Sequence, residues 1–212
     1  MFDLDFNLLR TNPLDVVAVD FETTPILPSG DVERIWMLGW KWIEDGTRKC
    51  IQLSWPEGIT PTNLSSLVTN VHSRAQIKQR PNDVKLSHFC HIVKEKHPVF
   101  HNAGFDKRIL DSLGIQVNRY IDSMMVAYLA LPPSVLLENT GDEDNIRLYS
   151  LRELGNRGFC RKKLESPDTF DIFTEGLDKY NEGDLDSTLD LIENLYPFIL
   201  DDKDLFSCFI DV

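Results

Sequence analysis

The chain has 212 residues, 42% of them apolar and 26% charged, with a formal net charge of −12. The length suits one domain over 1–212 with a substantial core, and the composition is that of an ordinary soluble globular protein. The acidic balance argues against strong nonspecific gripping of duplex nucleic acid, which draws its affinity from basic contacts to phosphate. No apolar run reaches the roughly eighteen residues of a membrane span.

Residues 1–15 are acidic and lack a basic segment ahead of an apolar one, so they do not read as a signal peptide. Val16 to Glu22 is a nearly continuous apolar run, the pattern of a central strand covered on both faces. "TPILPSGD" then breaks regularity with prolines and a glycine. "RIWMLGWKWI" (34–43) and "RKCIQLSW" (48–55) are β-rich and flank "EDGT", whose Asp-Gly is a hairpin signal. Three strands therefore open the chain, the last two antiparallel.

A helix is expected around 62–73, followed by an irregular stretch near Arg80-Pro81-Asn82-Asp83. Asp83 suits the cap of a helix running to about Lys96. "PVFHN" (98–102) reads as a short strand, and Gly104 to Leu113 as a helix stopped by Gly114. "NRYID" is a brief strand, with Asp122 as N-cap of a helix over Ser123 to Leu131 that Pro132-Pro133 ends. "ENTGDEDN" (138–145) is an acidic loop, and Tyr149 to Arg157 is a helix closed by Gly158. Periodicity is weak over 159–175, and an amphipathic helix follows from Leu177 to Leu195, before Pro197. Strands followed by alternating helices and strands imply an α/β fold, a mixed sheet flanked by helices. Cys50, Cys90, Cys160 and Cys208 are scattered without C-x-x-C spacing, which points to a reducing, intracellular setting.

Three short stretches carry candidate chemistry. Asp20 and Glu22 in "VVAVDFETT" project to one face of their strand, where a shared, partly buried site would make them repel. A hard divalent cation resolves that repulsion, and so does a strand end that emerges into solvent. Asp106 follows strand 98–102 at the start of a helix and faces Asp20 if that strand lies beside 16–22; its alternative role is with the helix dipole. Tyr180 and Asp184 in "KYNEGDLDSTLDLI" are one helical turn apart, fit to place a water beside an ion. A helix with an acidic exposed side and a core tyrosine reads the same way.

"DFETT", "HNAGFD" and "YNEGDLD", in that order, resemble the three exonuclease motifs of the proofreading domain of family A DNA polymerases. That domain belongs to the tyrosine branch of the DEDD superfamily of 3′–5′ exonucleases. The resemblance spans 20–186 and implies a ribonuclease-H-like fold with a five-stranded mixed sheet. It implies two divalent ions, Mg²⁺ or Mn²⁺, with Asp20, Glu22 and Asp184 on one, Asp20 bridging to the second, and Asp106 on the second ion's water shell. Tyr180 would orient the attacking water. The chemistry is two-metal hydrolysis of a phosphodiester, which releases nucleoside 5′-monophosphates from a 3′ end. Thr23, Ile26, Asn102 and Phe105 match substrate-side positions, although core packing accounts equally for Ile26 and Phe105.

"HNAGFD" also fits the H-x4-D spacing of the histidine branch, with His101 as base. The middle acid would then come from Asp31, Asp45 or Asp83, none of which follows a convincing strand. The tyrosine reading is preferred. "NRGFCRKK" (156–163) is the basic cluster, suited to single-stranded nucleic acid but more simply a solvated face.

The expected substrate is DNA, as single strands or frayed 3′ ends, in the cytoplasm (the host's, for a phage-encoded enzyme). The chain ends soon after the third motif, so the reading is a free-standing phage or bacterial exonuclease or the proofreading part of a polymerase; the initiator methionine favours the former. The acidity suggests distributive action or tethering to a DNA polymerase or replication protein. The alternatives are an exoribonuclease resembling ribonuclease D, which usually carries a further helical module, and a silent scaffold, which would be expected to lack an acid or the tyrosine.

Overall fold

The computed structural model describes residues 16–23, 35–43, 46–52, 86–112, 115–117, 119–137, 148–165, 175–202 and 204. The lead-in of 1–15, the helix around 62–73, Asp83, Gly114, the loop 138–145 and Ile26 lie outside them, as do Asp31, Asp45 and Cys208.

Among the described residues five strands form one mixed sheet in the order β3-β2-β1-β4-β5. β1 (Val16–Thr23) is central: β2 (Ile35–Trp42) pairs with it antiparallel, and β4 (His97–Phe100) runs parallel on its other side, Val16 opposite His97. β3 (Arg48–Gln52) closes the expected hairpin with β2. Gly46 takes φ +66° in the turn, and Trp42 and Thr47 share a backbone hydrogen bond. β5 (Ile121–Asp122) is shorter than "NRYID" suggests and lies parallel to β4.

The alternation of β1 sorts its side chains between two layers. Val17, Val19 and Phe21 face α1 (Leu86–Glu95) and α2 (Ala103–Ser112), in a cluster with Trp40, Phe89, Ile92, Ile109 and Leu110. Phe21 meets Phe89 edge to face, centroids 5.9 Å apart. Burial of each such side chain contributes about 1.5–3 kcal/mol relative to exposure. Val16 and Ala18 face the opposite layer, built by α3 (Ser123–Ala130), α4 (Pro133–Leu137), α5 (Leu151–Asn156) and α6 (Glu175–Asp201). The even-numbered side of β1, which continues to Asp20 and Glu22, therefore looks at α6.

One expectation about proline is extended and another is corrected. Pro132-Pro133 does follow the end of α3, but Pro133 also opens α4, where its fixed φ suits the first helical turn. Pro197 does not end α6, which continues to Asp201. Pro197 and Glu193, whose carbonyl loses its partner, are both exposed, so water can satisfy that group while Tyr196 and Ile199 keep packing. No described helix is long and apolar enough to cross a membrane.

Candidate metal centre

Asp20, Glu22 and Asp184 each place one carboxylate oxygen within 4.8 Å of the others. The first two arrive from the carboxyl end of β1, the third from the third turn of α6. Glu22 and Asp184 are 6% and 5% exposed, so the solvent-exposed reading of these acids fails. Burial, then the charges of Asp20 and Asp184, pushes the Glu22 carboxyl up to about 10, and burial and Asp20 push Asp184 to about 7. Asp20 is also raised, chiefly by burial, and accepts a hydrogen bond from Glu22. Glu22 Oε1 and Asp184 Oδ1 are buried with no hydrogen-bond partner among the described residues. Orphaned carboxylate oxygens in a cluster of three acids this close suit a hard divalent cation, which prefers oxygen donors of this kind.

Asp106 stands in the first turn of α2, 3% exposed. Its carboxyl lies well above the usual range, first through burial and then through the charge of Asp20. The parallel pairing of β1 with β4 thus brings the two aspartates together, as expected, although Asp106 is not one of the trio. The turn that delivers it is pinned by Asp122. That carboxylate accepts from the backbone amides of Asn102 (3.0 Å), Ala103 (2.9 Å) and Met124 (2.9 Å), so it caps α3 and also holds the entry to α2. Asn102 sits there at φ 64°, a conformation that asparagine tolerates better than most residues.

Tyr180 is one turn before Asp184 on α6, half-buried, and its phenol is raised by burial and by the Asp184 charge. Thr23 ends β1 at an irregularity in its pairing with β2. Asn102 is exposed, whereas Phe105 packs against the core cluster below α2. His101 lies against Ser123 Oγ at 2.9 Å, and burial lowers its pKa to about 4, so the ring is neutral near pH 7.

The basic stretch 156–163 is only in part a solvated face: Arg161 and Lys162 are exposed, whereas Arg157 and Lys163 are partly buried. Arg161 grips Asp190 and Asp186, and Arg157 donates to Glu153 and to the Leu136 carbonyl. Lys163 enters the site itself: its ammonium donates to Asp184 Oδ2 at 2.6 Å and lies 4.7 Å from the centre of the Tyr180 ring. Burial pulls the Lys163 pKa down, but the Asp184 carboxylate and Tyr180 more than offset this, and the group is raised overall. Gly155 lets the segment cross α5 so closely, since a β-carbon there would stand 2.7 Å from the Arg161 carbonyl oxygen.

Sequence reasoning also passed over Asn181, fully buried beside Tyr180, whose amide donates to Asp20 Oδ2 at 2.8 Å. The available signal was Gly39 inside the β-rich run 34–43, because a glycine within a strand often marks a close approach. Gly39 is opposite Asp20 in register, and a β-carbon on it would stand 1.9 Å from Asn181 Oδ1.

The architecture has solved counterparts. NrnC of Brucella melitensis with bound Mg²⁺ superposes with a TM-score of 0.54 at 19% identity, over 92% of this chain and 80% of that one. A nuclease in its apo form gives a TM-score of 0.57 at 17% identity, over 99% of this chain and 84% of that one. The fold is ribonuclease-H-like. No protein-family model and no curated protein matches the chain.

Proposed function

We propose that the chain is a metal-dependent 3′–5′ exonuclease of the tyrosine branch of the DEDD superfamily, acting over 1–212 as one domain on single-stranded or frayed DNA ends. The observation that carries this reading is the trio Asp20, Glu22 and Asp184, two of whose carboxylate oxygens are buried without a hydrogen-bond partner among the described residues. Support comes also from Asp106 and Tyr180 at the same end of the sheet, and from the fold shared with nucleases, one of them solved with Mg²⁺.

In this reading Asp20, Glu22 and Asp184 hold Mg²⁺ or Mn²⁺, and Asp20 with Asp106 serves a second ion. When bound, such a pair supplies Lewis-acid activation of water and charge stabilisation at the leaving oxygen. The chain's own part is placement. Tyr180 presents its hydroxyl one turn from Asp184 to orient the water. Thr23, Asn102 and Phe105 would contact the terminal nucleotide, as would Ile26, which lies outside the described residues. The net charge of −12 leaves substrate affinity to the ions and a few direct contacts, which suits distributive action or tethering to a replication partner.

A 5′-labelled single-stranded DNA, incubated with Mg²⁺, with Mn²⁺ or with EDTA beside the matched RNA, tests the proposal. A ladder that shortens from the 3′ end only with metal, faster on DNA, is expected. Faster shortening of RNA would make the enzyme an exoribonuclease, and no metal-dependent shortening of either would remove the nuclease assignment.

A further inference from the structure

Asn181 has no exposed surface, yet both ends of its amide are engaged. Its Nδ2 donates to Asp20 Oδ2 at 2.8 Å, and its Oδ1 accepts from Arg48 Nη2 at 3.1 Å. The guanidinium is itself fixed by Asp178, through the carboxylate at 2.9 Å and the backbone carbonyl at 3.0 Å. Arginine carries donors only, so the amide oxygen must face Arg48 and the amide hydrogens must face Asp20. Asp178 and Asn181 ride on α6, Arg48 on β3 and Asp20 on β1, so the chain of contacts joins the helix of Asp184 and Tyr180 to the strand of Asp20 and Glu22.

Room for this contact exists because residue 39 has no side chain. Gly39 pairs with Asp20 across the β1–β2 ladder, and any β-carbon there would collide with the Asn181 amide. Buried core packing alone would be served by an apolar residue at 181 and a larger one at 39. A buried amide in a glycine-made gap, turned by an arginine toward one acid of a candidate metal centre, is built to orient that acid.

We infer that Asn181 is a positioning residue for Asp20: oriented by Arg48 and admitted by Gly39, it sets the plane of the Asp20 carboxylate and its distance from Asp184. The amide occupies one lone pair of Oδ2, beside the hydrogen bonds that Asp20 also accepts from Glu22 and the Phe21 backbone. This inference rests on the metal-binding reading of the trio. Outer partners of ligating groups typically change metal affinity by about 10–100-fold when removed.

The test is a calorimetric Mn²⁺ titration of the full chain as wild type, Asn181→Ala, Gly39→Ala and the double variant, each also melted in EDTA. Wild type should take up Mn²⁺ saturably, and Asn181→Ala about 10–100-fold more weakly. Gly39→Ala should lower both the melting temperature and the affinity. Adding Asn181→Ala to it should restore the melting temperature, because the collision is gone, but not the affinity. The double variant refills the gap and carries the measurement if Asn181→Ala alone does not fold. Wild-type affinity in either variant lacking Asn181 overturns the inference and leaves the metal centre standing, whereas no saturable uptake by wild type overturns both.

Discussion

Lys163 donates its ammonium proton to Asp184 at 2.6 Å from a segment twenty-one residues upstream. Its charge also lowers the pKa of Asp20 and Glu22, so one lysine partly neutralises all three clustered acids. Lys163→Met should therefore destabilise EDTA-treated protein by roughly 1.5–3 kcal/mol, the range for a hydrogen bond to a charged group. Mn²⁺ should recover more stability in the variant than in wild type, since the ion restores the missing positive charge. Urea melts with EDTA and with Mn²⁺ measure both quantities; identical metal-free stability would show that Lys163 is not a counter-ion of the cluster.

The same acids give metal-free protein an inverted pH dependence. Asp184 is raised to about 7 and Glu22 to about 10, from 3.8 and 4.5 in the unfolded chain. Between the unfolded and folded values, the folded state holds protons that the unfolded state has released. Raising the pH through that window therefore favours unfolding. Stability in EDTA should fall from pH 5 through 7 and keep falling toward 9, whereas Mn²⁺ affinity should tighten over that range as the carboxylates ionise. Melts across this range with and without Mn²⁺ report the two opposed slopes. Stability in EDTA that rises with pH would contradict the buried, raised acids.

Tyr180 and the carboxylates should separate in their effects. Asp20→Ala and Asp184→Ala should abolish both saturable Mn²⁺ uptake and shortening of the 3′ end. Tyr180→Phe should leave Mn²⁺ affinity unchanged while slowing cleavage by about 10–100-fold, the scale of losing one orienting hydrogen bond beside the ion. Single-turnover cleavage beside calorimetry distinguishes the two classes. Full nuclease activity in Asp20→Ala would eliminate the site.

Asp122 holds three backbone amides, so its loss should reach Asp106 without touching it. Asp122→Ala should cost about 2 kcal/mol, the upper range for a helix cap, and should also slow cleavage because the first turn of α2 is released. Asp122→Asn keeps one acceptor oxygen and should recover part of both. A stability loss with unchanged cleavage would confine Asp122 to capping α3.

What could be read from sequence followed short-range geometry. The two-residue period of β1 and the four-residue spacing on α6 put Asp20 with Glu22 and Tyr180 with Asp184 on shared faces, and the structure has them so. The placement of β4 beside β1 was a condition that the sequence left open; the sheet supplies it, and Asp106 comes with it. Lys163 was hidden because its segment lacks periodicity and is held by contacts far along the chain, Arg161 to Asp190 among them. Asn181 was hidden because an asparagine in a helix looks neutral until its partner strands are known. Pro197 misled because a proline ends a helix only where the lost carbonyl partner cannot be replaced, and here that side faces water.

The most direct measurement of the central claim is anomalous diffraction from crystals of the protein soaked in Mn²⁺. The account predicts a peak among the carboxylate oxygens of Asp20, Glu22 and Asp184. No peak there, or peaks confined to the surface, would contradict it.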